Sequence, residues 1–440
     1  MNLSDLKKKI KDRSAKLAVI GLGYVGLPLA ASLADCGFQV TGVDVKAERI
    51  AAINQGENPI GGEEPGLDEL IKKNVASGSL QATSDYADLH DRDVAFINVE
   101  TPVGDDHKPG YRALISALHS LGKVLPKGAL VIIESTISPG TMQQIVLPIL
   151  EEESGGKLNI DFYLGNCPER VMPGKLLANI QNMSRVVGGA DAETAEVMAD
   201  LYRLFVKAEI NPSDWITAEL VKTVENTYRD VQIAFANEIA MLCEQLGADV
   251  WRVRELVNKT PHRDIHFPGA GVGGHCIPKD PWLLASSVPD DQFLKLIPTA
   301  RHINDGMPAH MATLLEQGLE RMGKKLAQSK VLILGYAYLE NSDDERNSPS
   351  AALVKELQGR CASLRIHDPY ITAYQGDLYE LAKECDALVI MTAHKDYFSL
   401  DMAKLRGIIR TPLIVDGRNV ILENEVEGFT LVQLGKGSAL

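Results

Sequence analysis

Cys276 stands in the run Gly269-Ala270-Gly271-Val272-Gly273-Gly274-His275-Cys276-Ile277-Pro278-Lys279-Asp280-Pro281, with five glycines or alanines before the thiol. So little side chain surrounds the sulfur that a substrate carbon or a cofactor ring could approach it closely. A thiol placed this way reads as a nucleophile. Lys279 and Asp280, three and four residues on, are close enough in sequence to bias it toward thiolate and to orient a proton acceptor. The other reading is a small apolar residue buried in a loop, as most lone cysteines are. A second set, Glu219, Lys222, Asn226 and Arg229, recurs at intervals of three, four and three, which puts all four on one face of a helix. Such a face is commonly solvated. Here it is interleaved with Leu220, Val221 and Val224 and, further on, Phe235 and Ala236, so much of the helix should be buried, and a buried lysine and asparagine need partners that a ligand can supply. His262, His266, His275 and Cys276 suggest zinc, but their spacing matches neither a closed structural site nor H-E-x-x-H, and no metal is expected.

The elements that would position these residues begin with a strand, Lys16 to Ile20, running into Gly21-Leu22-Gly23-Tyr24-Val25-Gly26, a helix from Leu27 to Cys36, and a strand from Gln39 to Val43 that ends on Asp44. In a strand, glycine turn, helix, strand, acid series, the first glycine makes the turn. The second lets backbone N–H groups reach a pyrophosphate, and the third packs helix against strand. Asp44 would accept hydrogen bonds from a ribose diol and repel a 2'-phosphate, favouring NAD over NADP. Strands over 93–99 and 129–134 alternate with helices, as a doubly wound parallel sheet requires. They end in Thr101-Pro102 and in Ser135-Thr136-Ile137-Ser138-Pro139-Gly140-Thr141. Thr101, Glu134 and Thr136 are thereby cofactor or active-site candidates, or merely caps of the next helices. Another strand end, after 161–165, carries Asn166-Cys167-Pro168-Glu169-Arg170. Asn211-Pro212 reads as a helix start, and no glycine or proline recurs until Gly247, which predicts about nine helical turns.

A third segment repeats the architecture, with strands at 330–335, 363–367, 387–391 and 412–415 and a helix at 350–359. Gly335 is followed by Tyr336, Ala337 and Tyr338, so the glycine fingerprint is missing, which suits a nucleotide sugar rather than a dinucleotide. Arg346, within Asp343-Asp344-Glu345-Arg346-Asn347-Ser348-Pro349, either reaches toward the first domain's cofactor or sits in a solvated acidic turn.

At 440 residues, two or three domains are expected. A net charge of -14 argues against nucleic acid and leaves a small-molecule site as the default. The start is charged, no run of about 18 apolar residues occurs, and six cysteines are scattered with no C-x-x-C pair. No membrane span is expected, and a reducing cytoplasm is.

With these motifs in order, the chain resembles the UDP-glucose/GDP-mannose dehydrogenase family along nearly its whole length. The matching motifs are Gly21 to Gly26 with Asp44, Thr101-Pro102, Ser135-Thr136, Pro168-Glu169-Arg170, Glu219 to Glu238, Gly271 to Asp280, and Asp343 to Pro349. Asn226-Thr227-Tyr228-Arg229 and His266-Phe267-Pro268-Gly269 look like the branch acting on UDP-N-acetylhexosamines. Tyr228-Arg229 and Met172-Pro173 depart from the UDP-glucose enzymes.

The resemblance implies an α/β chain with two Rossmann-like doubly wound sheet domains joined by a helical middle with one long central helix. The segments would be an NAD-binding domain over 1–205, a central dimerisation and catalytic domain over 206–310, and a UDP-sugar-binding domain over 311–440. It also implies a homodimer that oxidises the C6 alcohol of the sugar twice, with UDP-N-acetyl-D-mannosamine as the foremost substrate. The gluco and galacto isomers and UDP-glucose are alternatives. Cys276 would trap the aldehyde as a thiohemiacetal that becomes a thioester. Lys222 and Asn226 would stabilise the oxyanion, Asp280 would assist proton transfer, and Thr136 and Glu169 would hold a water for which Glu169 is the base. Cofactor contacts carried over are Gly21, Gly23, Tyr24, Val25, Gly26, Asp44, Arg49, Thr101, Thr136 and Arg346. Substrate contacts are Glu169, Arg170, Lys222, Asn226, Arg229, His262, Arg263, His266 and Gly273. Two competing readings are a one-step hydroxyacid dehydrogenase, which needs neither Cys276 nor a second sheet domain, and a silent NAD-binding regulator, which predicts loss of a site residue.

Overall fold

Short apolar runs such as Leu17 to Ile20 and Ala129 to Ile133 are buried on both faces, as strands become when helices cover both sides of a sheet. A computed structural model describes residues 2–61, 64–172, 174–288, 293–422 and 426–437. Pro173, one of the departures from the UDP-glucose enzymes, lies outside them. The chain divides into two compact units, Met1–Glu225 with Trp282–Pro289 and Asn226–Pro281 with Asp290–Leu440. The segment expected as a separate middle, 206–310, is thus shared between the two. Among the described residues no helix is long and apolar enough to cross a membrane.

In the first unit, β1 (Lys16–Ile20), β2 (Gln39–Val43), β3 (Leu80–Thr83), β4 (Val94–Ile97), β5 (Ala129–Ile133), β6 (Phe162–Asn166), β7 (Arg185–Gly189) and β8 (Ile210–Asp214) form one sheet. Their order is β3-β2-β1-β4-β5-β6-β7-β8. The six strands β3 to β6 are parallel, as expected. The β6–β7 pair is antiparallel, so β7 and β8 extend a doubly wound core with a reversed edge. Strand order reverses between β1 and β4, the place where such sheets bind ligands at their carboxyl ends.

Asn211 and Pro212 do not start the long helix. They lie in β8, paired with Val186 and Val187, and an edge strand tolerates a residue with no N–H to give. The helix runs Trp215–Leu246, about 48 Å at 1.5 Å per residue. Its start is fixed by Asp214, whose carboxylate accepts the Thr217 N–H and hydroxyl at 2.8 Å each. The helix has the expected length and is buried or half-buried along much of it, Glu219, Lys222 and Ala236 included, but its apolar residues are not all inside. Leu220, Val224, Tyr228, Phe235 and Leu242 are exposed, and their spacing of four, four, seven and seven keeps them on one face.

In the second unit, β9 (Lys330–Leu334), β10 (Ser363–His367), β11 (Ala387–Ile390), β12 (Leu413–Asp416) and β13 (Thr430–Gln433) form an all-parallel sheet in the order β10-β9-β11-β12-β13. The turn after β9 starts with Gly335 at φ +88°, and Asp368 follows β10 as Asp44 follows β2. Here the acid is closed off. Its Oδ2 accepts from Tyr336 N (2.7 Å), Ala337 N (2.9 Å) and His394 Nε2 (3.1 Å), and its Oδ1 from Tyr370 N (2.8 Å) and Ile371 N (3.2 Å). His394 Nδ1 accepts the Asn341 N–H, which leaves Nε2 to donate. Burial works against this carboxylate, but His394 and the backbone N–H groups hold its pKa well below the usual range. A group depressed in the folded state contributes stability above its unfolded pKa, near 4, that is lost as pH falls below that value. Asp368→Asn is expected to cost about 3 kcal/mol near neutrality. In thermal unfolding, the wild-type advantage should be full at about pH 7 and smaller at about pH 3.

Candidate active site

The glycine turn of the first unit is built by contact with its neighbours. Gly21 has φ +90°, and a Cβ there would lie 2.5 Å from the Asn98 carbonyl oxygen. At Gly26 a Cβ would overlap the Gly21 carbonyl oxygen and lie 3.2 Å from the Asn98 Cβ. The third glycine therefore answers mainly to the turn itself rather than to helix–strand packing. At Gly23 a Cβ would meet nothing within 4 Å, so this side of the turn is open. The helix that follows, Gly26–Asp35, has no side-chain cap at its N-terminus, leaving N–H groups and the positive end of the dipole for an anion. Val25 is its N-cap residue, and the exposed Tyr24 donates from its hydroxyl to the Gly61 carbonyl at 3.1 Å.

Asp44 is buried at the end of β2. Its Oδ2 accepts the Leu22 N–H (2.9 Å) and Arg49 Nη1 (2.8 Å), and its Oδ1 accepts the Lys46 N–H (2.9 Å). Burial opposes ionisation, but these donors hold its pKa below the ordinary value, which keeps an acceptor ready for a ribose diol. An open glycine, an uncapped helix N-terminus and an ionised acid fit the phosphates and ribose of a dinucleotide. Thr101 Oγ1 donates to the Thr136 carbonyl at 2.6 Å and Ser135 Oγ to the Val99 carbonyl at 2.7 Å. These hydroxyls tie the ends of β4 and β5 together instead of capping helices.

Next to these strand ends lies a buried ionic cluster. Glu169 receives Arg185 on both oxygens, at 2.6 and 3.2 Å, and the Arg170 N–H at 2.6 Å. Tyr202 donates its hydroxyl to Glu134, and the Arg185 guanidinium lies 5.6 Å from the Tyr202 ring centroid. Arg170 pairs with Glu225 at 3.0 Å. On the long helix, Lys222 is buried. One turn before it, Glu219 accepts the Gly140 and Met142 N–H groups at 2.8 and 2.9 Å. Burial pushes the Glu219 carboxyl up to about 7 against those bonds. Arg185, Tyr202 and the capping role of Glu219 gave no recognisable signal in the sequence. Arg185 sits in an ordinary strand, and only the three-residue offset of Glu219 from Lys222 marked that position.

In the second unit Cys276 is exposed, which sets aside the reading of a buried apolar residue. Its carbonyl accepts the Lys279 and Asp280 N–H groups at 3.1 and 2.9 Å, so the sulfur sits on a tight turn. The glycines before it have a packing reason beyond access to the sulfur. A Cβ at Gly271 would meet Pro349 at 2.8 Å and one at Gly274 would meet Tyr338 at 2.8 Å. Gly274 is bracketed further by Arg346 and Asn347, its N–H on the Arg346 carbonyl (2.8 Å) and its carbonyl on Asn347 Nδ2 (2.9 Å). Asn226 Nδ2 donates to Asp280 Oδ2 at 2.5 Å, joining two predicted residues 54 positions apart. Lys279 Nζ lies 3.5 Å from Asp280 Oδ1, a neighbouring charge rather than a hydrogen-bond donor. The exposed Arg346 side chain is bidentate to Asp344, at 2.8 and 2.5 Å.

Arg229, His262 and Arg263 are exposed and Gly273 is partly buried. The half-buried His266 has its pKa lowered by burial and then by Arg229 and Arg254. Arg254, which sequence reasoning missed, lies over the Phe267 ring at 3.6 Å. Among the described residues no group of three or more His, Cys, Asp or Glu is placed to hold a metal ion.

The cradle at the reversal point of the first sheet is that of an NAD-dependent dehydrogenase. Family models match the chain three times: the NAD-binding domain of the UDP-glucose/GDP-mannose dehydrogenase family over residues 15–206, its central domain over 216–306 and its UDP-binding domain over 332–423. The chain belongs to that family, and its cofactor is NAD. It is 41% identical to UDP-N-acetyl-D-mannosamine dehydrogenase of Pyrococcus horikoshii, over 96% of this chain and 99% of that one. The solved structure of the Pyrococcus enzyme superposes with a TM-score of 0.90 at 40% identity, covering 96% of this chain and all of that one. The NDP-N-acetyl-D-galactosaminuronic acid dehydrogenase structure from Methanosarcina mazei gives 0.89 at 38% identity, covering 100% of this chain and 98% of that one.

Proposed function

We propose that this chain catalyses the NAD-dependent four-electron oxidation of the C6 alcohol of a UDP-N-acetylhexosamine, foremost UDP-N-acetyl-D-mannosamine, to the uronate. The observation that carries this reading is the exposed Cys276 on a turn whose Asp280 is hydrogen-bonded to Asn226. The first several curated relatives are named for the mannosamine substrate. The galactosaminuronate relative favours the galacto isomer as the second reading.

NAD, when bound on the Gly21–Gly26 turn with its ribose on Asp44, takes up the hydride lost at each oxidation. The Cys276 thiolate adds to the C6 aldehyde, forming a C–S bond and an alkoxide. Lys222 and the Asn226 carboxamide stabilise that oxyanion. Oxidation of the thiohemiacetal leaves a thioester. Glu169 takes a proton from a water held with Thr136, the water oxygen bonds to C6, and the sulfur departs as thiolate. Asp280 assists proton transfer near the sulfur. Arg170, Arg229, His262, Arg263, His266 and Gly273 contact the UDP-sugar, and Tyr24, Val25, Arg49, Thr101 and Arg346 contact the cofactor. The segments over 1–205, 206–310 and 311–440 serve NAD binding, catalysis with dimerisation, and UDP-sugar binding. The exposed apolar face of the long helix supports a homodimer. The cytoplasm is the compartment proposed. A one-step hydroxyacid dehydrogenase would need neither Cys276 nor the sheet β9–β13.

The test is NADH formed per sugar consumed across UDP-N-acetylmannosamine, UDP-N-acetylgalactosamine, UDP-N-acetylglucosamine and UDP-glucose. About two NADH per sugar are expected, with the mannosamine isomer preferred, as a thiol-trapped aldehyde requires. One NADH per sugar would demote Cys276, and no turnover with any of them would bring forward a silent regulator.

A further inference from the structure

The segment from Gly269 to Asp280, which carries Cys276, is tied at both ends to one face of the long helix. At its far end Asn226 donates to Asp280. At its near end the Gly269 N–H donates to Asn237 Oδ1 at 2.8 Å. Asn226 and Asn237 lie about three turns and about 16 Å apart along the helix, and the helical repeat returns them to the same side. Asn237 is 0% exposed in a helix interior, where asparagine is a poor helix former and a buried amide is costly unless paired. It is paired through a sealed network. Asn237 Nδ2 donates to Asn304 Oδ1 at 2.9 Å, and Asn304 Nδ2 donates to the Asp230 carboxylate at 2.7 Å and to the Asp230 carbonyl at 3.0 Å. Arg301, from the same helix as Asn304 (Leu296–Arg321), donates to that carboxylate oxygen at 2.5 Å. Asn304, Asp230 and Arg301 are likewise buried. A backbone N–H can only donate, and a carboxylate held by a guanidinium can only accept. The two ends of the network therefore fix which way both amides face.

We infer that Asn237 is a positioning residue for Cys276. Its carboxamide oxygen holds the start of the thiol-bearing segment as Asn226 holds its end, and Asn304 with the Asp230–Arg301 pair keeps that oxygen turned toward Gly269. Other anchors come from elsewhere in the second unit. Arg418 Nη2 donates to the Gly271 carbonyl at 3.3 Å, and Gly274 is bracketed by Arg346 and Asn347. Asn237 differs from these in referring the segment to the very helix that carries Asn226. Without it the sulfur is free to drift from the carboxamide that stabilises the oxyanion, and a misplacement of about 1 Å costs on the order of a hundredfold in rate. This rests on the reading of Cys276 as the nucleophile.

The test compares full-length wild type, Asn237→Ala, Asn237→Ser, Asn237→Asp and Cys276→Ser with NAD and UDP-N-acetylmannosamine. Alanine is the best helix former, so the long helix should persist. The milder serine, too short to span to Gly269, stands in where the alanine variant does not fold. Either variant is expected to lower kcat about ten- to a hundredfold while Kd for NAD and KM for the sugar stay within about twofold of wild type. Aspartate has the shape of asparagine and keeps an oxygen for the Gly269 N–H, but not the amide donor to Asn304. Asn237→Asp should therefore lose thermal stability as Asn237→Ala does, yet recover most of the lost kcat. Hydrogen exchange of the substrate-free protein, which does not depend on turnover, should run at least about tenfold faster over 269–280 in the alanine or serine variant and near the wild-type rate in Asn237→Asp. A loosened segment with unchanged kcat, unchanged exchange, or an Asn237→Asp variant as slow as Asn237→Ala overturns the inference. Double oxidation by Cys276→Ser at the wild-type rate overturns the nucleophile reading itself, a result distinct from all three.

Discussion

Cys276→Ser is expected to lower turnover by at least on the order of a thousandfold while leaving NAD affinity unchanged. Serine keeps the shape of the side chain but not its chemistry. A thiol ionises near neutral pH, and a hydroxyl without an adjacent base does not. The turn itself should survive, because backbone bonds hold it: Lys279 and Asp280 donate to the Cys276 carbonyl, and Gly274 donates to that of Arg346. NAD binding is read by titrating the variant and turnover by NADH release, with stalling after the first oxidation expected. Normal release of two NADH per sugar from the serine variant would remove the thiol from the reaction.

Gly26→Ala is expected to destabilise the first unit by about 3 kcal/mol and to reduce NAD affinity by at least on the order of a hundredfold, since a misplaced turn loses its phosphate contacts. The added methyl would collide with the Gly21 carbonyl, a backbone group that cannot rotate aside as a side chain can. Gly23→Ala is the control that separates binding from folding. Its methyl would meet nothing within 4 Å, so thermal unfolding should match wild type while NAD binding is lost to a methyl lying where the pyrophosphate belongs. Equal losses of stability in both variants would refute the division of roles between the two glycines.

The sheets were legible in the sequence where their strands are buried on both faces. β1, β2, β4, β5 and β9 announce themselves as apolar runs ended by glycine or polar turns. β3, β7, β8 and β13 do not. β3 alternates buried and partly exposed residues at an edge, and β8 contains Pro212 and so read as a helix start. The catalytic candidates were legible as residue types at revealing spacings, and the Asn226–Asp280 bond brings together two that lie 54 positions apart. What spacing could not show was which charges are sealed together. Arg185 meets Glu169 only because β7 returns antiparallel to β6, a reversal without a local signature.

Both units carry the same device of strand, glycine turn and acid, one open and one closed. Asp44 accepts three donors of the chain beside a glycine clear of obstruction, whereas Asp368 accepts five, with His394 among them. Among the described residues, the open seat for a dinucleotide is therefore the one in the first unit. In a double oxidation the spent cofactor must vacate that seat and a fresh one arrive before the sugar can be finished. On the proposed four-electron reaction the half-oxidised sugar would have to outwait this exchange, so a tether through Cys276 would need to last longer than the vacancy, and scarcity of fresh NAD would show as enzyme parked midway with its cargo attached.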